Sequence, residues 1–179
     1  GATWVMVSTG TSHTFTGLTN GTEYTFKVRA VNGIGPGAQA SATVTPAVPE
    51  FAGGSGTKED PYLVANADQL NNVRNHLDKH FLLIDDIDLS GYNSGEGWEP
   101  IGSKTNNFTG SFNGDGHTIS NLYIYLEGQW NARIPVGLFR YTGEGSEILN
   151  LTLENTNVTG CYYAGGLVGY NSGNITNVH

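Results

Sequence analysis

Between residues 24 and 30 apolar and polar side chains alternate, with Tyr24, Phe26, Val28 and Ala30 on one side and Thr25, Lys27 and Arg29 on the other. A period of two predicts a strand with one buried face. With Thr14-Phe15-Thr16 ahead of it, residues 1–46 read as β-structure. Leu18-Thr19-Asn20-Gly21 and Asn32-Gly33-Ile34-Gly35-Pro36-Gly37 supply residues that tolerate the positive φ of tight turns. The rhythm changes at Asn66-Ala67-Asp68-Gln69, which has the Asn-x-x-Gln form of a capping box and is followed by Leu70, Val73 and Leu77 at helical spacing. One amphipathic helix of about three turns is predicted. Its narrow apolar stripe suits a helix laid across the open end of a β stack, where an unpaired edge and a slice of core otherwise face water. Phe81-Leu82-Leu83-Ile84 and Ile87-Asp88-Leu89 then read as the first strands of that stack.

The back half repeats. Ile119-Ser120-Asn121-Leu122-Tyr123-Ile124 returns as Ile148-Leu149-Asn150-Leu151-Thr152-Leu153 and begins again at Ile175-Thr176-Asn177-Val178, a spacing of roughly 28 residues that marks stacked-repeat architectures. Gly137-Leu138-Phe139 and Gly165-Gly166-Leu167-Val168-Gly169 recur at a similar interval, so each repeat is a coil with two short apolar segments. Within the hexapeptide Leu122 and Ile124 share a face, while Ile119 would point the other way in an unbroken strand, so the chain must turn between them. Asparagine takes the left-handed conformation of a sharp bend more readily than other non-glycine residues. Asn121, Asn150 and Asn177 are therefore expected to stack at one structural corner of successive coils. Ile119, Leu122, Ile124, Leu138, Ile148, Leu151, Leu153, Val158, Leu167 and Ile175 are expected to fill the interior.

Composition narrows the function classes. The 179 residues include 26 glycines and one methionine, and 16 acidic side chains against 8 basic ones leave a formal charge of −8. The basic residues are scattered, so no stripe exists to neutralise phosphates, and nucleic acid is not an expected partner. No apolar run reaches the roughly 18 residues of a membrane-spanning helix, so membrane insertion is not expected within this chain. Cys161 is a single cysteine, which rules out an internal disulfide. Pro46-Ala47-Val48-Pro49-Glu50 reads as a stiff linker, dividing the chain into residues 1–46, a linker at 47–50, and residues 51–179.

Gly17-Leu18-Thr19-Asn20-Gly21-Thr22-Glu23-Tyr24, Val28-Arg29-Ala30-Val31-Asn32 and Ala42-Thr43-Val44-Thr45-Pro46 resemble the C-terminal half of a fibronectin type III domain, with Tyr24 in the place of its corner tyrosine. The resemblance implies a partial sandwich whose first strands lie upstream, and hence a fragment of a longer protein. A second resemblance runs through residues 51–179. Gly53-Gly54-Ser55-Gly56-Thr57, Asp60-Pro61-Tyr62-Leu63-Val64, Trp98-Glu99-Pro100-Ile101-Gly102, Phe108-Thr109-Gly110-Ser111-Phe112-Asn113-Gly114-Asp115-Gly116-His117-Thr118-Ile119 and Gly166-Leu167-Val168-Gly169 look like the GLUG repeats of bacterial surface proteins. That likeness implies a right-handed parallel β-helix, truncated here and carried on secreted or wall-anchored proteins. The expected fold class is all-β: a partial fibronectin type III sandwich followed by a parallel β-helix solenoid with one capping α-helix.

Candidate chemistry is sparse. Asp85, Asp86 and Asp88 are the densest acidic patch and could offer hard oxygen ligands to Ca²⁺, although the spacing fits neither an EF-hand nor the Asp-bearing nonapeptide repeat. Turn and cap hydrogen bonding is the favoured reading, and no cofactor is expected. Asp115, Glu127, Glu144 and Glu154 offer carboxylates for sugar chemistry, but nothing pairs any two. His76 and His80, four apart, could share a helix face. His117 reads as a wall residue, and no catalytic set is identifiable. Among the aromatics Tyr123, Tyr125 and Trp130 are candidate ligand-binding residues, with Tyr141, Tyr162, Tyr163 and Tyr170 as further members of a strip. The expected function is a non-catalytic structural or adhesion segment of a bacterial cell-surface or secreted protein, with a host or neighbouring-cell surface protein or glycan as partner. The alternative is an accessory or N-terminal part of a secreted enzyme acting on polysaccharide or protein.

Overall fold

The computed structural model describes residues 12–126, 134–160 and 162–179. Trp130, Glu127 and Cys161 lie outside them. The chain is mostly β with one short helix, and it divides into two compact units, Gly1–Pro49 and Glu50–His179.

Unit one is a hairpin of β1 (Tyr24–Asn32) and β2 (Gly35–Val44), antiparallel from Tyr24↔Val44 to Asn32↔Gly35 with an irregularity between Arg29 and Val31. The Asn32 side-chain oxygen closes its turn by accepting from the amides of Ile34 at 2.9 Å and Gly35 at 3.2 Å. This is why an Asn-Gly-x-Gly stretch reverses the chain here. Thr14-Phe15-Thr16 is not a strand, contrary to expectation. Phe15 instead packs its ring on Phe26, centroids 4.4 Å apart. The alternation of β1 defines its faces but not their burial: Tyr24 and Phe26 are half-buried, whereas Val28 is 67% exposed.

Unit two contains β3 (Tyr62–Val64), α1 (Ala67–Asn72), β4 (His80–Leu83), β5 (Ile87–Asp88), β6 (Ser111–Asn113), β7 (Thr118–Ser120) and β8 (Tyr123–Leu126), followed by β9 (Phe139–Tyr141), β10 (Glu147–Glu154), β11 (Asn157–Gly160), β12 (Val168–Tyr170) and β13 (Asn174–Val178). Its helix is shorter than the three turns expected. Asn66 caps α1 by accepting from the Gln69 amide at 3.0 Å, and the Gln69 side chain accepts from the Ala65 amide at 2.8 Å, one residue before the cap. A single 3₁₀ turn, Val73–Asn75, follows, and the backbone leaves the helical region at His76. Leu70 and Val73 are fully buried and Leu77 nearly so. The helical spacing is thus satisfied partly outside the helix, because the chain must turn early to set β4 beside β3.

All named strand pairs in unit two are parallel. One run orders β3, β4, β6, the first half of β10, and β13, and aligns Tyr62, Phe81, Phe112, Ile148 and Ile175 as one column. A second run orders β5, β7 and the second half of β10, aligning Ile87 and Ile119 and then Leu153. β8 pairs with β11, and β9 with β12. Strands that pair in parallel cannot be neighbours through a tight turn, so each column joins residues from successive passes of the chain. Phe81, Phe108, Phe112 and Phe139 are fully buried with ring centroids 4.9–6.4 Å apart. Each such side chain contributes about 2–3 kcal/mol by leaving water.

Of the expected interior set, Ile119, Leu122, Ile124, Leu138, Ile148 and Leu151 are buried, and Leu153, Val158 and Leu167 are partly buried. Ile175 is corrected: it stands in the column but is 41% exposed, because β13 is an edge strand of its sheet.

Candidate functional site

Two different corners organise the surface of unit two. At the first, β10 bends at Asn150 (φ 53), and Asn177 (φ 53) lies beside it in the β10–β13 register. The Asn177 Nδ2 donates to Asn150 Oδ1 at 2.9 Å, and the Asn150 Nδ2 donates to Asn113 Oδ1 at 3.1 Å. At the second corner Asn121 (φ 59) lies beside Asn155 (φ 51), since Glu154 pairs with Ser120 and Asn157 with Tyr123. The Asn121 Nδ2 donates to Asp88 Oδ1 at 2.8 Å. Asn121 therefore does not stack with Asn150 and Asn177, which corrects the single corner expected from the repeated hexapeptide. The cause is a longer turn between β6 and β7: Asn113 aligns with Leu149 but Thr118 with Thr152, so residues 114–117 occupy the place of Asn150 and Leu151. Both corners use the same local solution, an apolar residue two places ahead of a left-handed Asn, which is why their sequences look alike.

The acidic turn is spent on this second corner. Asp85 accepts from the Asp86 amide at 2.9 Å. The Asp86 Oδ1 accepts from the Thr118 amide at 2.9 Å and faces His117 Nδ1 at 3.2 Å. Asp88 accepts from the Ser90 amide, the Ser90 hydroxyl and Asn121, each at 2.8 Å. These donors hold both carboxyls below the ordinary value: the Thr118 amide and then His117 for Asp86, the Asn121 amide and then the Ser90 groups for Asp88. Among the described residues no three His, Cys, Asp or Glu side chains converge to hold a metal ion. Asp85, Asp86 and Asp88 are adjacent in sequence but not brought to one point.

His76 and His80 do not share a helix face. His76 faces Glu50 Oε1 at 2.9 Å and contacts the rings of Phe51 and Tyr62. His80 lies in β4 and bonds the Ser111 hydroxyl through Nδ1 at 2.7 Å. That pair comes from two strands and was invisible in the sequence. In register the next residue is Glu147, on the far side of Ser111 from His80, so it does not sit against the imidazole as the carboxylate of a catalytic triad does.

Tyr123 and Tyr125 both lie on β8, beside Asn157 and Thr159 of β11. Three of the strip's further members come together instead. Tyr141 and Tyr170 are register partners on β9 and β12 with centroids 5.6 Å apart, and Tyr163 lies 6.3 Å from Tyr170 at 89°. A signal for this was present: Gly137-Leu138-Phe139-Arg140-Tyr141 and Gly166-Leu167-Val168-Gly169-Tyr170 end on the same residue.

In unit one the Tyr24 hydroxyl accepts from the Thr19 amide at 2.9 Å, five residues upstream, the hydrogen bond of a sandwich tyrosine corner. The family profile "Fibronectin type III domain" matches residues 4–47. Within that matched segment, the bond ties β1 to the turn preceding it.

Two curated relatives align over most of the chain. A protein of Evansella cellulosilytica named "Putative Gly-rich membrane protein" is 43% identical over 136 residues, covering 72% of this chain and 15% of that protein. "Halomucin" of Haloquadratum walsbyi is 39% identical over 133 residues, covering 70% of this chain and 1% of its own length. The chain thus spans a small part of each relative. No solved structure matches it. No helix among the described residues is long and apolar enough to cross a membrane.

Proposed function

We propose that this chain is a non-catalytic structural and adhesive segment of a much longer protein exposed at the cell surface or secreted. In this reading unit two is a right-handed parallel β-helix built from GLUG-type repeats, and unit one a fibronectin type III module ahead of it. The observation that carries the reading is the single column Tyr62, Phe81, Phe112, Ile148 and Ile175, formed by five parallel strands from successive passes. Coils stacked in this way make a stiff, self-similar rod whose stability is a sum of neighbour contacts. Such an architecture separates or presents surfaces without needing a reactive centre. The names of the relatives, one a membrane protein and one a halomucin, support a surface location, and their much greater lengths support a role as one segment among many.

Antibodies raised against the purified chain are expected to label intact cells of the source organism or its culture medium. Labelling only after permeabilisation overturns the location. A screen of polysaccharide and peptide substrates is expected to give no turnover above buffer, and turnover abolished by a single carboxylate substitution overturns the non-catalytic reading.

A further inference from the structure

We propose that Tyr141, Tyr163 and Tyr170 form a docking surface for a neutral polysaccharide. The proposal deepens the adhesive part of the reading above and rests on it. Tyr170 is 49% and Tyr163 58% exposed, and both are grouped with Tyr141 rather than scattered. Isolated exposed aromatics carry no meaning, but a cluster held in a defined geometry does.

The cluster is preorganised from both sides. Tyr141 and Tyr170 are fixed by strand register. Beyond Tyr170 the Asn171 Oδ1 accepts from the Thr142 hydroxyl at 2.5 Å and the Gly173 amide at 3.1 Å, while its Nδ2 donates to the Gly173 carbonyl at 3.0 Å. Tyr163 is held at φ 39, in the left-handed region, a conformation that costs free energy for a large side chain and persists only where its surroundings impose it. Rings already in place lose little freedom on binding.

The chemistry of the occupant follows from the rings and the charge. A tyrosine offers an apolar face and a hydroxyl rim, which matches a pyranose with its C–H face against the ring and its hydroxyls at the edge. The formal charge of −8 opposes uronates and sulfated sugars. A protein partner is disfavoured by size: three clustered rings fall far short of the roughly 800 Å² per side of a stable protein interface.

Isothermal titration of the full chain with cellohexaose, chitohexaose, mannohexaose and hexagalacturonate tests this. Saturable binding to at least one of the three neutral sugars is expected, tighter than to hexagalacturonate, with Kd on the order of 1 mM. Tyr170→Ala and Tyr163→Ala should each weaken it about tenfold in a chain that remains folded, while Ile34→Ala at the exposed turn of unit one leaves it intact. Absence of binding to all three neutral hexasaccharides up to about 10 mM overturns the proposal, as does preference for hexagalacturonate or wild-type affinity in folded Tyr170→Ala. If the alanine variants do not fold, ring-proton NMR of the unaltered chain decides: sugar-induced shifts must fall on Tyr141, Tyr163 and Tyr170, and shifts elsewhere sink the idea. Failure here with positive labelling of intact cells removes the sugar site alone and leaves the surface reading standing.

Discussion

Asn177 donates its side-chain amide to the carbonyl oxygen of the Asn150 side chain at 2.9 Å, across 27 residues of sequence. Asn150 passes the interaction on to Asn113 at 3.1 Å. One residue therefore joins three passes of the chain, and it does so from a left-handed backbone. Asn150→Ala removes both bonds and places an alanine at φ 53, and is expected to destabilise unit two by about 2–3 kcal/mol. Asn150→Gly relieves the backbone strain but not the lost bonds, and should cost about 1 kcal/mol less. Urea denaturation followed by tryptophan fluorescence checks both. Equal losses would show that the amide ladder, not the backbone, dominates.

Two glycines with similar φ separate conformational strain from close approach. Gly97 (φ 80) has a Cβ position that runs into the Tyr123 carbonyl oxygen, whereas Gly116 (φ 86) faces open space. Gly116→Ala should cost about 1 kcal/mol for its backbone conformation alone. Gly97→Ala must in addition push β8 away, and more than about 3 kcal/mol is expected. Thermal unfolding of the two variants side by side gives the comparison, and similar midpoints would contradict it.

Acid should weaken the second corner. Asp86 and Asp88 both have folded pKa values below the ordinary 3.8 because backbone and amide donors favour their ionised forms. Groups depressed in this way contribute stability that is complete above the unfolded pKa and is lost as pH falls through the folded pKa. The unfolding midpoint of unit two is therefore expected to drop as pH is lowered below about 4. The double variant Asp86→Asn, Asp88→Asn should be less stable at neutral pH and flatter below it. A slope as steep as that of the parent chain would place the acid sensitivity elsewhere.

Tyr24→Phe deletes the hydroxyl that accepts from the Thr19 amide. A lower unfolding midpoint is expected for unit one, and the Thr19 amide should exchange with solvent faster in the variant. Unchanged exchange would mean that the bond does not hold the turn.

Trp98 shows how far burial outran the visible pattern. The repeat and the strand alternation do not single it out, yet it is 1% exposed, donates to the Leu138 carbonyl at 3.3 Å and carries the Arg74 guanidinium 5.5 Å from its ring. Its partners lie far away in sequence, so no local periodicity reveals them. The sequence offers Tyr141, Tyr163 and Tyr170 among the aromatics of a candidate strip but does not show which of them meet. Tyr123 and Tyr125 share a short segment, but the clustered rings come from β9, β12 and the stretch between β11 and β12.

By itself the sequence determined what each short stretch can do. Asn121, Asn150 and Asn177 each turn the chain because asparagine tolerates positive φ, Asn66 caps a helix because its side chain reaches the Gln69 amide, and Asn32 closes a hairpin for a similar reason. These are preferences of a few neighbouring residues. Only the tertiary structure decided which corner stands on which, because register accumulates the length of every intervening turn. The additional residues at 114–117 place Asn121 beside Asn155 and not beside Asn150, although the two hexapeptides look like copies. The same accumulated register brings Tyr141 beside Tyr170.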